Sequence, residues 1–229
     1  MSCSDCISHV ANADALLKRM FPNGRSPSPL PPQGTFEISL RCNVRCRHCY
    51  ILYPGATDGE LNTEQAKTIL KKIADGGTLF LLLTGGETLA RPDFPELYLY
   101  AKRLGLLVSV YTNATLIDDA IMDLWTHYPP QRIEVTMYGH TEATYEAVTN
   151  VPGSFARYRT GVQRLLDAKI NLQLKAMVMK TNQHELEAMR DWALERTGQF
   201  KFDLDIGPRL DGDRNVLKER ISVKDYVDL

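Results

Sequence analysis

The chain has 229 residues, enough for one domain with a sizeable core and too few for two full ones. It is 44% hydrophobic and 24% charged, and its 27 basic and 28 acidic side chains leave a net charge of −1, so nothing suggests nucleic-acid or anionic-membrane binding. No apolar run approaches the roughly 18–20 residues that span a bilayer, and the start lacks a secretory signal; a cytoplasmic protein with no membrane partner is expected.

Residues 1–34 read as an N-terminal arm and Pro-rich linker. An amphipathic stretch at 10–20 is followed by FPNGRSPSPLPPQG, whose five prolines and two glycines prevent regular structure. Residues 35–229 read as one α/β domain. Strands at 36–40, 78–83, 107–112, 132–138, 171–179 and 201–206 alternate with helices, the pattern of β-α units on a parallel sheet. The clearest helix opens at Asn62, with Gln65 placed for a capping box and Ala66, Ile69, Leu70 and Ile73 on one face, and stops at Gly76 and Gly77. Further helices are expected at 97–104, 119–125, 155–168 and 186–196. The one near 186 opens at Asn182 with Glu185 in the same capping relation, and a last helix forms around 223–227.

The second strand, TLFLLLTGG, is apolar throughout, as a doubly covered parallel strand should be. The last three alternate: Ile133, Val135 and Met137 with Glu134, Thr136 and Tyr138; Leu172, Leu174 and Ala176 with Gln173 and Lys175; Phe202, Leu204 and Ile206 with Lys201, Asp203 and Asp205. A closed eight-stranded barrel fills its interior with branched apolar residues. Six strands with a polar inner face therefore predict a partial (β/α)6 TIM-like barrel whose lumen is a cavity. Met177, Met179 and Met189 read as core.

Five cysteines, three of them inside RCNVRCRHCY, argue against a disulfide framework and for a metal or redox site. Cys42, Cys46 and Cys49 follow the first strand, on the face where β/α barrels build active sites. Iron–sulfur clusters are normally held by four cysteines, so a trio suggests a cluster with one iron open to a further ligand. Zinc closed by His48 is the alternative, although adjacent His48 and Cys49 fit one tetrahedral ion awkwardly. Cys3 and Cys6 read as unliganded thiols of the arm. In TGGETLARPDF, Gly85 and Gly86 allow a ligand to approach the backbone and Glu87 can receive an ammonium group, while a plain strand-to-helix turn would look the same. Tyr138 and Arg209, at the tops of the fourth and sixth strands, fit either the lining of a substrate site or a turn.

The CxxxCxxC spacing and the GGE turn together resemble the radical S-adenosylmethionine superfamily over about residues 35–209. YTNATLI, VTMYGHTEATYEAVTNVPGSFARYRTGVQRLLDA and LKAMVMKTNQHELEAMRDWA resemble its peptide- and protein-maturing branch with SPASM or twitch extensions. The auxiliary-cluster region of that branch has no counterpart here, since no cysteine follows Cys49. The resemblance implies an enzyme with two cofactors, a 4Fe-4S cluster on Cys42, Cys46 and Cys49 and S-adenosyl-L-methionine on its open iron. By the same resemblance Gly85, Gly86 and Glu87 meet the methionine amino group, and His48 and Tyr50 lie near cluster and adenine. Thr112, Asn113 and Thr136 face the cosubstrate, and Lys175 faces its carboxylate or the substrate. No catalytic acid or base is assigned. The implied reaction is reductive cleavage to a 5′-deoxyadenosyl radical that takes a hydrogen atom from a peptide or protein side chain, with reduced flavodoxin or ferredoxin as electron donor. A small-molecule substrate such as a nucleotide or sugar, and a non-catalytic zinc-stabilised binding protein, are the rival readings.

Overall fold

A computed structural model of the chain describes residues 32–51 and 59–227. The expected amphipathic stretch at 10–20 and the Cys3/Cys6 pair lie outside the described residues. Six parallel strands, β1 (Gln33–Ser39), β2 (Phe80–Gly85), β3 (Leu107–Thr112), β4 (Arg132–Met137), β5 (Leu172–Met177) and β6 (Phe200–Asp203), form one sheet in sequential order. Helices α1 (Thr63–Asp75), α2 (Phe94–Arg103), α3 (Asp119–His127), α4 (Glu142–Thr149), α5 (Ser154–Asp167), α6 (Leu186–Thr197) and α7 (Val223–Val227) connect or follow the strands. β1 and β6 are the two free ends of an open, partial TIM-like barrel.

The α/β alternation and the count of six strands are as the sequence predicts. Along β4 the side chains of Ile133, Val135 and Met137 are buried, while Glu134 and Thr136 on the opposite face are half-buried in the lumen. The core lies between sheet and helices, where Phe94, Tyr98, Trp125, Tyr145 and Tyr158 are its largest buried side chains. Burying each such ring stabilises the fold by about 2–3 kcal/mol relative to exposure. No helix among the described residues is long and apolar enough to cross a membrane.

At α1 the capping box is complete: Gln65 N–H donates to Asn62 Oδ1 and Asn62 N–H donates to Gln65 Oε1, both at 2.9 Å. The same reading fails at Asn182. That side chain accepts from Met179 N–H (2.8 Å) and donates to the Tyr138 and Met177 carbonyls, tying the tops of β4 and β5 together. A short 3-10 turn, Gln183–Glu185, then precedes α6, and Glu185 is recruited elsewhere. β6 also stops earlier than expected, because Asp203 Oδ1 accepts from the N–H groups of Leu204 and Asp205 and bends the chain out of the ladder. Helix α4 was absent from the sequence expectation; it is capped by Thr141 and closed by Asn150 in the left-handed region at φ 53.

Candidate active site at the top of the partial barrel

The chain leaves β1 at Ser39 and forms the cysteine loop over the strand tops. Its entry is fixed by Glu60, which accepts from Ser39 Oγ (2.5 Å) and from Arg41 Nε (2.8 Å). Its middle is seated on the C-terminal end of α4. Arg45 N–H donates to the Thr149 carbonyl (2.8 Å), Arg47 N–H to that of Val148 (3.0 Å) and Arg47 Nε to that of Ala147 (2.7 Å). A helix leaves its last carbonyls without internal partners, so the loop and α4 complete each other. At the other end of α4, Glu185 accepts from the N–H groups of His140 and Thr141 and from the hydroxyls of Thr141 and Thr144, at 2.5–3.1 Å.

Cys42, Cys46 and Cys49 are free, half-buried thiols that line a cavity of about 330 Å³. Burial pushes the Cys42 thiol up to about 11 and raises those of Cys46 and Cys49; Cys46 is raised further by the charges of its two neighbours. Three thiolates here are costly until a cationic centre holds them, and a coordinating metal reverses the cost. Among the described residues no group of three or more His, Cys, Asp or Glu side chains is close enough to hold a single metal ion. A 4Fe-4S cluster asks each cysteine to bind its own iron, and all three thiols line the one cavity. His48 packs on Tyr138, ring centroids 5.5 Å apart, and its buried Nδ1 has no partner. Desolvation holds it down at about 4, so it is neutral.

Gly85 and Gly86 line the same cavity, but the structure gives their lack of a side chain a second reason. A Cβ on Gly85, at φ 137, would stand 2.1 Å from the Ser39 carbonyl oxygen, and one on Gly86 2.3 Å from that of Arg41. The exit of β1 is what approaches these glycines, and the contact is sealed by Gly86 N–H to Ser39 O (2.9 Å) and Glu87 N–H to Arg41 O (2.7 Å). Glu87 lies behind the cavity wall, fully buried. Its carboxylate accepts from Thr112 Oγ1 (2.7 Å), Asn113 N–H (2.6 Å) and Leu89 N–H (3.1 Å), so it braces β2 to β3. Burial raises its pKa while these donors pull it down.

Thr112, Asn113, Thr136 and Tyr50 all reach the cavity wall. Asn113 Nδ2 donates to Asn43 Oδ1 (2.9 Å) and Asn43 Nδ2 to Thr115 Oγ1 (2.6 Å), linking the cysteine loop to the top of β3. Tyr50 sits at the rim and donates to Glu37 Oε1 (2.6 Å). Lys175 is not brought to the wall; it lies deeper, its Nζ 3.1 Å from the centroid of the Tyr111 ring and 3.7 Å from Glu134 Oε2. Tyr138 lines the cavity, and Arg209 pulls the Cys49 thiol down against burial while pairing with Asp211 at 3.3 Å. Met179 and Met189 are core, whereas Met177 is half-buried on the cavity side with Asp205 and Gly207. The β-strand period already put Met177 on the face of Lys175, opposite Ala176, and that was the signal for it.

A model of the radical SAM superfamily matches residues 36–193. The chain belongs to this superfamily. Its members use a 4Fe-4S cluster and S-adenosylmethionine, and the three thiols and the cavity beside them fit that pair. The radical SAM domain is 32% identical over 161 residues to the AdoMet-dependent heme synthase of Methanosarcina barkeri, covering 70% of this chain and 46% of that one. It is 28% identical over 168 residues to the antilisterial bacteriocin subtilosin biosynthesis protein AlbA of Bacillus subtilis, covering 73% and 38%. The chain thus spans less than half the length of these relatives. In fold it resembles Streptococcus suis SuiB bound to precursor peptide SuiA, with a TM-score of 0.64 at 17% identity over 83% of this chain and 43% of that one.

Proposed function

We propose that the chain is the catalytic domain of a radical SAM enzyme that abstracts a hydrogen atom from a peptide or protein side chain. The observation that carries the catalytic part is the convergence of Cys42, Cys46 and Cys49 on one cavity with Gly85, Gly86, Thr112 and Asn113. Cys42, Cys46 and Cys49 would hold the cluster, and S-adenosylmethionine would lie along the tops of β2, β3 and β4. Bound there, the pair supplies one-electron cleavage of the sulfonium and hydrogen-atom abstraction. The protein's contribution is position: Glu87, Asn43 and α4 keep the cysteine loop, β2 and β3 in one frame, and half-buried Thr136 and Tyr111 shape the space in which a substrate carbon meets the cosubstrate. An electron donor such as reduced flavodoxin or ferredoxin belongs to this reading.

The peptide substrate is supported by AlbA, named for bacteriocin biosynthesis, and by the fold shared with SuiB, solved with its precursor peptide. The higher identity to a heme synthase favours, as the second reading, a small-molecule substrate on the same barrel. Offering side-chain-deuterated peptides and small metabolites to the reduced, reconstituted protein decides between them. Deuterium in 5′-deoxyadenosine from a peptide supports the first reading. Transfer only from a small molecule replaces it with the second.

A further inference from the structure

Below the proposed cosubstrate cavity the lumen holds a second one of about 400 Å³, and Tyr111 on β3 lines both. Lys175 reaches from β5 to the Tyr111 ring. Around this level the charges do not balance. Arg132 Nη1 and Lys175 Nζ lie 3.7 Å from opposite oxygens of the same Glu134 carboxylate. Lys175 and Lys201 are direct partners in the β5–β6 register, hence on one face of the sheet, and Lys201 lines the lower cavity.

Like charges directly opposite on neighbouring strands are destabilising. The cost is visible at Lys175, whose pKa is lowered to about 8, chiefly by burial and further by Lys201, against the pull of Glu134 and Asp203. Asp203 has Oδ1 committed to the backbone N–H groups of Leu204 and Asp205. Arg132 Nη1 also donates to Gln173 Oε1 (2.7 Å), so Glu134 is shared by Arg132 and Lys175, while Lys201 has only Lys175 opposite it in the ladder. Gln131 lines the same cavity with its amide oxygen accepting from Ser109 Oγ (2.6 Å), and its NH₂ adds two donors. Lys175 is compensated by Glu134 and the Tyr111 ring, whereas Lys201 on the cavity wall is opposed by Lys175, and that is where a ligand's charge is to be sought.

We propose that the lower cavity is a carboxylate-binding subsite, in which Lys201 and Arg132 receive an acidic side chain or the C-terminal carboxylate of the substrate peptide. The site anchors the peptide below Tyr111 and leaves a neighbouring carbon to reach the upper cavity. For the identity of its ligand this inference rests on the peptide reading above.

The test uses the full chain, ¹⁵N-labelled, titrated with three probes and followed by NMR. N-acetyl-glutamic acid α-amide carries only a side-chain carboxylate, N-acetyl-glycine only a terminal one, and N-acetyl-glutamine amide none. Saturable shifts with a carboxylate probe and none with the neutral amide are expected, the probe that binds naming the source of the carboxylate. Lys201→Gln should weaken binding at least about tenfold, some 1.4 kcal/mol. Glu134→Gln, which removes the competing acid, should strengthen it, an opposite sign that general loss of structure would not give. Equal response to the neutral amide, no saturable response to either carboxylate, or undiminished binding in Lys201→Gln overturns the proposal. Probe binding needs neither cluster nor turnover, so absence of 5′-deoxyadenosine would count against the enzymatic reading alone.

Discussion

The loops above β1, β2 and β3 answer one another's polar groups directly: Gly86 and Glu87 with Ser39 and Arg41, Glu87 with Thr112 and Asn113, Asn113 with Asn43. At β5 and β6 the last strand is only four residues long, its Phe202 is 49% exposed, and Lys175 and Lys201 stand side by side on one face of the sheet. The first region is built around a ligand that does not vary, so its geometry can be fixed by the fold. The second leaves charge and space uncommitted, as suits a substrate that brings its own groups.

The sharpest way to break this contrast is Gly85→Ala. The added Cβ would meet the Ser39 carbonyl at a φ of 137, so loss of about 4 kcal/mol or failure to fold is expected in denaturant unfolding. An unchanged midpoint would mean that the tops of β1 and β2 are not joined as described. Next comes Glu87→Gln, which turns an amide NH₂ toward Thr112, Asn113 or Leu89 donors and should cost about 2–3 kcal/mol by the same measurement.

Glu185→Gln should cost about 1–2 kcal/mol and loosen the cysteine loop through α4. Burial raises the Glu185 pKa, but hydrogen bonds from Thr141, Thr144 and His140 outweigh it, so the folded value lies below the ordinary 4.5. The folded state therefore binds its proton less tightly than the unfolded chain. The contribution of Glu185 is fully present above the unfolded value and is lost as pH falls through the folded one. Melting curves of wild type and variant should differ at neutral pH and converge in acid; a gap that persists unchanged in acid contradicts the ionised cap. The smallest effect is expected at the other region. Lys201→Gln should leave the melting temperature unchanged or slightly higher, because it removes one of two side-by-side like charges.

Much of this was legible in the chain. Period-2 alternation puts Glu134, Thr136 and Lys175 on the polar face of the sheet, and the cysteine spacing marks the loop whose three thiols line the cavity. What could not be read were partnerships between distant loops. Asn182 and Glu185 have the spacing of a capping box, yet each finds a stronger engagement: Asn182 with three backbone groups of β4 and β5, Glu185 with α4, some forty residues earlier in the chain. Glu87 looked like a ligand because it follows two glycines, and only the position of Asn113 N–H shows that its oxygens are already used. Helix α4 is short and rich in β-branched residues, so local propensity concealed the element on which the cysteine loop rests.

The most direct measurement is anaerobic reconstitution of the full chain beside its Cys46→Ala variant, with iron, sulfide, zinc and reductant-dependent 5′-deoxyadenosine all quantified. The account predicts roughly four irons and four sulfides per wild-type chain, the content of one 4Fe-4S cluster, with cosubstrate cleavage that needs reductant, and the loss of both in the variant. One zinc per chain with no cleavage would contradict it.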